Sequence, residues 1–344
     1  MSRTRSDKSR VVCFGEVMLR LTAPRRGLPL DTPNFDATFG GAEANVAVSL
    51  ARLGTEAALA TILPENALGR AALSAIAAHG VGTKSVRLAP GRLGLYFVTQ
   101  GAGVRATEVL YDRANSAFAQ AAPDAIDWGD ALAGASRLHI SGVTPAIGAN
   151  AAAASVRAAK EASRLGVALS FDGNFRPSLW SQWDGDPPAI LKSIVANADI
   201  AFLEERDIAL ILGRTFGGED ENTRLLQAAR AAFECFPRLV IIACTMRHRL
   251  PAGGVELGAS LLSHETSTFA QPIALGDVVD RIGTGDAFAA ALLHGLGRGM
   301  VEAEALDFAL AAAAYKHSLP GDFNVVSEAE LLQLIREGPR DVRR

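Results

Sequence analysis

The sequence predicts a doubly wound α/β fold, in which helices cover both faces of a mostly parallel sheet and a small β lid is attached. From about residue 50 to residue 300, short apolar runs alternate with Ala-, Leu- and Arg-rich stretches at helical spacing. This alternation is typical of parallel βαβ units. Two segments that break it have the β-rich flanks and Pro/Gly turns of hairpins. The chain of 344 residues is long enough for one large core with a small appendage.

The N-terminal part of the chain opens the predicted sheet and supplies the lid. A basic tail over residues 1–10 precedes Val11–Gly15, a short apolar run ending in glycine that we interpret as a buried strand. Ala44–Gly54 has apolar residues at helical spacing and stops at a glycine, as helices commonly do. The two predicted hairpins are residues 18–39 and 92–113. Hairpins that interrupt an α/β chain this early predict a β lid over a ligand site.

The rest of the chain continues the alternation of strands and helices. The apolar runs AALATI, RLHIS, VALSFD, DIAFL and LVIIAC are predicted strands, and NAAAASVRAAKEASRLG is a predicted helix. We expect one α/β domain over residues 11–336, with the lid segments inserted, and a C-terminal tail over residues 337–344. Ligands of such sheets bind at the carboxyl ends of the strands.

Composition and charge exclude several classes of function. Acidic and basic residues are interspersed and the formal net charge is −3, so neither a nucleic-acid partner nor a membrane partner is indicated. Glu16 and Arg20 interrupt the apolar stretch behind the leader, which argues against a secretory signal. No window approaches about 18 uncharged apolar residues. Cys13, Cys235 and Cys244 form no C-x-x-C pair, and their odd number indicates a reducing, cytoplasmic setting.

The segment DRIGTGDAFAA places two glycines and a carboxylate at the start of an apolar helix. Free amides of the first helical turn, together with the helix dipole, favour an anion over Gly283, Thr284 and Gly285, and a phosphate is the natural guest. Asp286 would repel a phosphate unless it acts on a group beside it. Its expected role is to accept the proton of an acceptor hydroxyl, which does not require a strong base. The residues alone leave open a plain glycine turn with Asp286 as a helix cap.

Other phosphate-binding signatures are missing from the sequence. It contains no G-x-x-x-x-G-K-[ST] segment, and the first predicted strand runs into Gly15-Glu16 rather than G-x-G-x-x-G. Both observations argue against P-loop and dinucleotide-binding folds. The GLGRG segment near residue 297 follows a helix rather than a strand, and we interpret it as a helix terminus.

Two segments together resemble the two signatures of the ribokinase-like PfkB carbohydrate kinase family. They are FGGAEANVAVSLARLG, which begins at Phe39, and VDRIGTGDAFAAALLHGL, which begins roughly 240 residues later at Val279. The stretches GLYFV, LYDRANSA, LHISGVTPAI, SFDGNFRPSLW and KHSLPGDFNVVS narrow the resemblance to members that act on 2-keto-3-deoxygluconate. It covers Val11 to about Ile335. It implies a ribokinase-like fold and ATP-dependent phosphorylation of the 6-hydroxyl of that sugar acid.

The resemblance also implies a set of site residues. Asp286 is the expected catalytic base, and Gly283, Thr284 and Gly285 are expected to form the anion hole, with Gly283 and Gly285 also contacting the nucleotide. The expected substrate-binding residues come from the first signature, the lid and three loops: Gly40, Gly41, Ala42, Glu43, Ala44, Asn45, Tyr96, Tyr111, Asp112, Arg113, Asn174, Arg176 and Asp322.

A sugar acid needs a cation in its site, and the planar fork of arginine suits a carboxylate better than a lysine does. Arg113 or Arg176 could supply it, whereas a kinase of neutral sugars would have little use for a buried unpaired arginine. Structural roles stay open for the same residues. They are a salt bridge from Arg176 to Asp172, a solvated Arg113, cross-strand packing of Tyr96 and Tyr111, a helix cap at Asn45, and a turn at Asp322.

The nucleotide side is less clearly marked. A kinase of this fold needs ATP with Mg²⁺ on its phosphates, and we expect Mg²⁺ to enter with the nucleotide, largely hydrated. The segment TMRHRLPAGG departs from the lysine or threonine and glycine-rich turn that relatives commonly have there. Thr245 and Arg247 occupy about the right place to contact the nucleotide. Leu310 is apolar where relatives are often polar, so adenine recognition is expected to depend on main chain and packing.

Three functional hypotheses follow from the sequence. The first is the sugar-acid kinase, the second is another PfkB kinase acting on fructose, ribose or a nucleoside, and the third is a sugar-binding regulator without chemistry. The gluconate and galactonate series are both open, as is the nucleotide preference. Lid strands with exposed edges can pair across two subunits, so we expect a homodimer.

Overall fold

The computed structural model describes residues 10–24, 27–29, 31, 34–102, 104–249 and 254–338. Strands and helices alternate through these ranges, which confirms the predicted α/β class. The strands are β1 (Arg10–Phe14), β2 (Met18–Thr22), β3 (Asp36–Gly40), β4 (Ala57–Pro64), β5 (Val86–Ala89), β6 (Gly94–Thr99), β7 (Glu108–Asp112), β8 (Ala135–Ser141), β9 (Ala168–Asp172), β10 (Ile200–Phe202), β11 (Ile241–Arg249), β12 (Val255–Ser263), β13 (Ser267–Phe269) and β14 (Ile273–Leu275).

The helices connect these strands and close the chain. They are α1 (Ala42–Leu53), α2 (Ala67–Ala78), α3 (Ala117–Gln120), α4 (Trp128–Ala131), α5 (Ala149–Leu165), α6 (Pro177–Trp180), α7 (Pro187–Val195), α8 (Glu205–Leu212), α9 (Glu221–Cys235), α10 (Thr284–Gly297), α11 (Glu302–Lys316) and α12 (Glu328–Glu337). Helix α10 ends inside the GLGRG segment, as predicted. No helix in the described part of the chain combines the length and apolarity that crossing a bilayer would need.

The main sheet has ten strands among the described residues, in the order β13-β12-β11-β10-β9-β8-β1-β4-β5, with β14 beside β12. The strands from β11 to β5 are parallel, whereas β12 runs antiparallel to β11, β13 and β14. The sheet is therefore mostly parallel, and its antiparallel strands lie at one edge. The carboxyl ends of β1, β8, β9, β10 and β11 lie at the same edge of the parallel part.

Two hydrophobic clusters hold the sheet between its helix layers. One contains side chains of α5, α7 and α9, and the other contains side chains of α1, α10 and α11. Alanines such as Ala158, Ala162 and Ala289 are fully buried in these layers. A methyl group is the only side chain there, so the helix backbones can approach the sheet closely at normal packing density. This explains how a chain with few aromatic residues fills a large core.

Both predicted hairpins are confirmed, and they form one four-stranded lid in the order β3-β2-β6-β7. Strands β2 and β3 pair antiparallel, as do β6 and β7, while β2 and β6 run parallel with Met18 opposite Gly94. The lid is thus a small separate sheet, joined through β2 and β3 to the segments that flank the cavity described below.

The predicted basic tail is one residue too long. Residues 1–9 lie outside the described residues, but Arg10 is the first residue of β1. Its guanidinium Nη2 donates to the carbonyls of Ala131 and Ala133 at 2.8 and 2.9 Å. Most of the predicted C-terminal tail, residues 339–344, also lies outside the described residues. Glu337 is not part of that tail, because it is the last residue of α12.

Candidate active site

A cavity of about 280 Å³ lies at the carboxyl ends of the parallel strands, underneath the lid. Glu16 follows β1, Asn174 follows β9 and Glu204 follows β10 on its wall, and the lid contributes Tyr96 and Tyr111. A cavity at this edge is what the sheet topology predicts, since the loops of neighbouring parallel strands converge there.

Most of the predicted site residues line this one cavity, although they are scattered over the whole chain. They come from the start of α1, the lid, the loop after β9, strand β11, the start of α10 and the loop before α12: Gly41, Ala42, Glu43, Asn45, Tyr96, Tyr111, Arg113, Asn174, Arg176, Thr245, Gly283, Thr284, Gly285, Asp286 and Asp322.

Gly40 and Ala44 do not line the cavity, and the expectation that they bind substrate directly is not supported. A Cβ atom on Gly40 would lie only 2.2 Å from Oδ2 of Asp322 and 2.8 Å from the hydroxyl of Tyr96. Glycine at this position therefore makes room for two side chains that do line the cavity. Ala44 is fully buried against the core below.

Asp112 and Arg247 also lie off the cavity wall, so the structure gives no support to their predicted contacts. The carboxylate of Asp112 is exposed on the lid and forms an ion pair with Arg92 at 2.7 Å. The guanidinium Nη2 of Arg247 lies 2.8 Å from Nε2 of His317. Local sequence could not reveal either partner. Of the four residues expected to contact the nucleotide, Thr245, Gly283 and Gly285 line the cavity and Arg247 does not.

The first turn of α10 forms the floor of the cavity. Gly283 caps the helix with φ of 83°, and a Cβ there would lie 2.2 Å from the carbonyl oxygen of Asp322, so this position requires glycine. A Cβ on Gly285 would meet open space. The hydroxyl of Thr284 donates to the carbonyl of Arg281 at 3.1 Å. Because first-turn amides have no acceptor within a helix, this turn offers donors to an anion.

Asp286 is buried in the third position of α10, with only 8% of its surface exposed. Its Oδ2 accepts a hydrogen bond of 2.7 Å from the amide of Asn45. The pKa of Asp286 is raised to about 7; burial is the largest cause, the charges of Asp322 and Glu43 add to it, and the Asn45 hydrogen bond and the charge of Arg176 oppose it. The sequence argument did not require a strong base. The structure nevertheless provides a carboxylate whose pKa lies near neutrality.

Asn45 links the two signature segments. Its amide nitrogen donates to Asp286 at 2.7 Å and to Oδ2 of Asp322 at 3.3 Å, while its oxygen accepts from the backbone amide of Gly41 at 3.3 Å. Asn45 therefore supports the start of its own helix and also orients the carboxylate of another. Gly41 has φ of 155°, and a Cβ there would lie 2.1 Å from the carbonyl of Glu16, which excludes any other residue.

Glu43 lines the cavity but is engaged by the protein itself. Its Oε1 accepts hydrogen bonds from the backbone amide of Ser141 (2.9 Å), the hydroxyl of Ser141 (2.9 Å) and the hydroxyl of Thr144 (2.6 Å). Burial raises the pKa of Glu43, and these hydrogen bonds act in the opposite direction. The carboxylate joins α1 to the loop after β8.

The two candidate arginines differ in their partners. Arg113 is buried and forms an ion pair with Glu16 at 2.6 Å, so it is not a solvated lid residue. Its Nη1 is buried without a hydrogen-bond partner among the described residues. Arg176 is exposed, caps α6, and forms no ion pair with a described carboxylate, so the salt bridge to Asp172 is absent. Of these two arginines, Arg176 is therefore the one that presents an uncompensated positive charge at the cavity wall.

Tyr96 and Tyr111 are cross-strand partners on the lid, with ring centroids 6.0 Å apart, and both also line the cavity. Cross-strand packing of the two tyrosines is thus compatible with contact between their side chains and a ligand. Burial raises the pKa of Tyr96 well above its ordinary value, and the charge of Asp322 adds to this.

Several charged residues of the site were not predicted. Asp172 and Asp207 line the cavity near Asp286. Burial raises the pKa of Asp172 well above its ordinary value, with contributions from the charges of Asp286 and Asp207, and burial raises the pKa of Asp207 to about 6. The backbone amide of Asn174 donates to Asp172 at 3.1 Å. Asp172 is the last residue of β9, which is the signal that could have identified it, whereas Asp207 lies in the first turn of α8.

A buried cluster of basic and acidic side chains beside the turn at Gly283 was also not predicted. Arg20 of β2 pairs with Asp280 at 2.5 Å and with Asp322 at 2.8 Å. Lys316, at the end of α11, is buried in the same region and donates to the carbonyl of Leu319 at 3.1 Å. Burial lowers the pKa of Lys316, and the charges of Asp280 and Asp322 oppose this. Arg281, next to Asp280 in the chain, lies on the cavity wall.

This chain is similar to known carbohydrate kinases along nearly its whole length. The family described as pfkB family carbohydrate kinase matches residues 8–327. A 2-dehydro-3-deoxygalactonokinase of Haloferax volcanii is 33% identical over 335 residues, covering 97% of this chain and 99% of the relative. The crystal structure of a 2-dehydro-3-deoxygluconokinase from Thermotoga maritima is 34% identical with a TM-score of 0.88, covering 95% of this chain and 99% of the other. A fructokinase-1 of Zea mays is 29% identical and covers 95% of this chain and 98% of its own length.

Proposed function

The chain belongs to the PfkB family of carbohydrate kinases, and on that premise we propose that it transfers the γ-phosphoryl group of ATP to the 6-hydroxyl of a 2-keto-3-deoxy sugar acid such as 2-keto-3-deoxygluconate. The observation that carries the proposal is the placement of Asp286. Its carboxylate is buried on the cavity wall, oriented by Asn45, directly beside a glycine-capped helix start.

Asp286 would act as the base. As the oxygen of the sugar hydroxyl forms its bond to phosphorus and the bond from phosphorus to the ADP oxygen breaks, the hydroxyl proton passes to Asp286. A base with a pKa of about 7 is ionised above neutrality. We therefore expect kcat/KM to fall by up to tenfold per pH unit below about pH 7, and a flat profile from pH 5.5 to pH 8 would contradict this role.

The start of α10 would hold the transferring group. The first-turn amides of Thr284, Gly285 and Asp286 lack helical acceptors, and the space beside Gly285 is open. Such preorganised donors stabilise charge that develops in the transition state. Thr245 and Arg281, on the same wall, are suited to contact the phosphates of ATP.

Mg²⁺ fits the acidic side of the same cavity. No cluster of three or more His, Cys, Asp or Glu side chains in the described ranges is arranged to hold a metal ion by itself. Glu204 and Asp207 nevertheless place hard oxygen donors on the wall that also carries Thr245. Mg²⁺ bound with ATP would neutralise phosphate charge, and these two carboxylates would hold its water ligands.

Arg176 would recognise the carboxylate of the sugar acid. The charge of Arg113 is already balanced by Glu16, so Arg113 can offer its free Nη1 to a hydroxyl or keto oxygen, while Arg176 retains a whole charge. The named activities of the Haloferax and Thermotoga relatives, both directed at 2-dehydro-3-deoxy sugar acids, support this substrate class.

A substrate panel with the purified protein tests the proposal. ADP release is measured with 2-keto-3-deoxygluconate, 2-keto-3-deoxygalactonate, fructose, ribose and adenosine, each with MgATP. Turnover of one or both keto-deoxy acids above the neutral substrates is the expected result. If fructose, ribose or adenosine is turned over faster than both acids, the proposed substrate is wrong and the protein is another kinase of the family. A thermal shift with a sugar but no ADP from any substrate would indicate a sugar-binding regulator.

The Arg176→Ala variant tests whether Arg176 binds the carboxylate of an acidic substrate. We expect KM for the keto-deoxy acid to rise by about tenfold or more, since a charge-assisted hydrogen bond to a carboxylate is lost. KM for ATP should change little. Arg164→Ala, on the exposed surface of α5, is the matched control and should leave both constants unchanged. An unchanged KM for the acid in Arg176→Ala would assign the carboxylate to another residue.

Two further properties are proposed from weaker features. Cys13, Cys235 and Cys244 are all free thiols, which supports a reducing compartment such as the cytoplasm. The lid ends in β3 and β7, whose outer edges could pair with a second subunit, and Leu110 on β7 is 67% exposed. A homodimer is therefore proposed. The molar mass measured by light scattering after size-exclusion chromatography at micromolar concentration tests it.

A further inference from the structure

Arg20 is a charged side chain in an unusual position. It lies on lid strand β2, yet only 1% of it is exposed. Its Nε donates to the hydroxyl of Thr22 at 2.8 Å, its Nη1 to Asp322 at 2.8 Å and its Nη2 to Asp280 at 2.5 Å. All three nitrogens are thus engaged, and the planar fork spans two carboxylates from different segments.

The two carboxylates each connect further parts of the site. Oδ1 of Asp280 accepts from the backbone amide of Ile282 at 3.0 Å, and its Oδ2 accepts from the amide of Gly321 at 3.2 Å. Asp280 therefore shapes the turn that leads into Gly283 and fastens it to the loop before α12.

Asp322 continues the connection toward the reacting groups. Its Oδ2 accepts from Asn45 at 3.3 Å, and Asn45 in turn orients Asp286. Its backbone carbonyl lies so close to Gly283 that a Cβ there would approach within 2.2 Å. One guanidinium thus joins the lid strand, the turn at the start of α10 and the C-terminal loop.

Stability alone is a poor reason for this arrangement. Taking an arginine and two carboxylates out of water is costly, and apolar residues of similar volume often serve a fold equally well. A rigid fork between two carboxylates does provide geometry that an apolar contact lacks. In phosphoryl transfer most of the catalysis is positioning, and a displacement of about 1 Å can reduce the rate about a hundredfold.

We propose that Arg20 is a positioning residue for phosphoryl transfer, which holds the Asp280–Gly283 turn and Asp322 in fixed relation to the lid, so that the α10 amides and Asp286 face the acceptor hydroxyl. The inference rests on the proposed kinase function. It adds a role for a residue that touches neither substrate: Arg20 acts through Asp280 and Asp322.

Arg20→Lys is the main test, because lysine keeps the charge but cannot satisfy two carboxylates with a planar fork. We expect kcat to fall about tenfold or more, while the dissociation constant for MgADP, measured by titration calorimetry, stays within threefold. Rates are measured well below the melting temperature of each variant, so that all molecules are folded. Wild-type turnover in the same assay tests the kinase function separately.

Two controls separate positioning from loss of stability. Arg92→Lys makes the same chemical change in an exposed lid ion pair and should leave kcat unchanged. Ile194→Ala removes a fully buried core side chain of α7 that does not line the cavity, and it should lower the melting temperature without lowering kcat. If Arg20→Lys loses no more than twofold in kcat, or no more than Ile194→Ala does at an equal loss of melting temperature, the inference is wrong.

A milder variant covers the case in which Arg20→Lys does not fold. Thr22→Val removes only the acceptor of Nε and keeps both ion pairs, which leaves one buried N–H without a partner and weakens the hold on the guanidinium. We expect a decrease of about threefold or more in kcat, with MgADP binding unchanged. A wild-type kcat in folded Thr22→Val would also overturn the proposal.

Discussion

The first turns of α1 and α10 make an informative pair. Both helices start after a glycine of positive φ, Gly41 and Gly283, they pack against each other, and each has a buried acid in its first turn. Burial raises the pKa of both Glu43 and Asp286. The two carboxylates nevertheless have different surroundings.

The difference lies in the donors that other elements supply. Glu43 receives three hydrogen bonds on Oε1 from two residues near the end of β8. Asp286 receives one, from Asn45, and its carboxylate lies at the cavity wall. A buried carboxylate that accepts three protein hydrogen bonds on one oxygen acts as a structural link, whereas one with a single protein donor retains more capacity for a substrate. The same local sequence pattern therefore serves two purposes.

The largest effect that this comparison predicts is on turnover in Asp286→Asn. The amide keeps the size and the contact with Asn45 but cannot accept a proton, so we expect kcat to fall by about 10²–10⁴-fold. The coupled ADP assay with the preferred substrate from the panel measures it. KM for ATP should stay within a few fold.

The control for this variant is Asp112→Asn, which alters an exposed carboxylate of the lid. It removes the same charge at a position off the cavity wall and should keep kcat within twofold. If Asp286→Asn retained more than a tenth of the wild-type kcat, Asp286 would not be the base, and the contrast with Glu43 would lose its meaning.

Glu43→Ala is expected to have the opposite balance of effects. It leaves the amide and hydroxyl of Ser141 and the hydroxyl of Thr144 without their acceptor, so the free energy of unfolding should fall by about 2–5 kcal/mol. Urea denaturation followed by circular dichroism measures it. Turnover by the folded protein should fall by less than about tenfold, far less than in Asp286→Asn.

Thr144→Val tests the same loss of stability on a smaller scale. It removes one of the three donors and leaves the carboxylate with the other two, so we expect a loss of about 1 kcal/mol with kcat within twofold. Should Glu43→Ala abolish turnover while remaining as stable as wild type, Glu43 would belong to the reaction and not to the framework.

The fold was largely predictable because it depends on periodicity that can be read locally. The apolar run of β1, the glycine that ends α1 and the hairpins of the lid were each visible in short stretches of sequence. The main error was at a boundary: Arg10 belongs to β1 because its backbone pairs with Ala135 of β8, and its guanidinium binds carbonyls of the same distant region.

The site was predictable where motifs are contiguous and was missed where partners are distant. Asp286 and Asn45 lie inside the two signature segments, and the structure brings both to the cavity. Arg20 was missed because hydrophobicity alone would turn Leu19 and Leu21 inward, whereas the lid buries Arg20 and Thr22 instead. The acceptors that make this possible, Asp280 and Asp322, come from the other end of the chain. No local pattern distinguishes such a residue from a surface arginine.

The smallest predicted effect concerns stability and follows from the pKa of Asp286. Its ordinary value is 3.8, and in the folded protein it is about 7. Well below pH 3.8 the group is protonated in both the folded and the unfolded state. As pH rises from 4 to 7 the unfolded chain ionises first, so stability is lost progressively, and above pH 7 the full loss is present.

Asp286→Asn has no ionisable group at this position and therefore carries no such cost. Its melting temperature relative to wild type should therefore increase by about 2–5 °C between pH 5 and pH 8, whereas that of Asp112→Asn should not. A difference for Asp286→Asn that is constant across this range would mean that the base has an ordinary pKa, and the fall of kcat/KM below pH 7 would then need another titrating group.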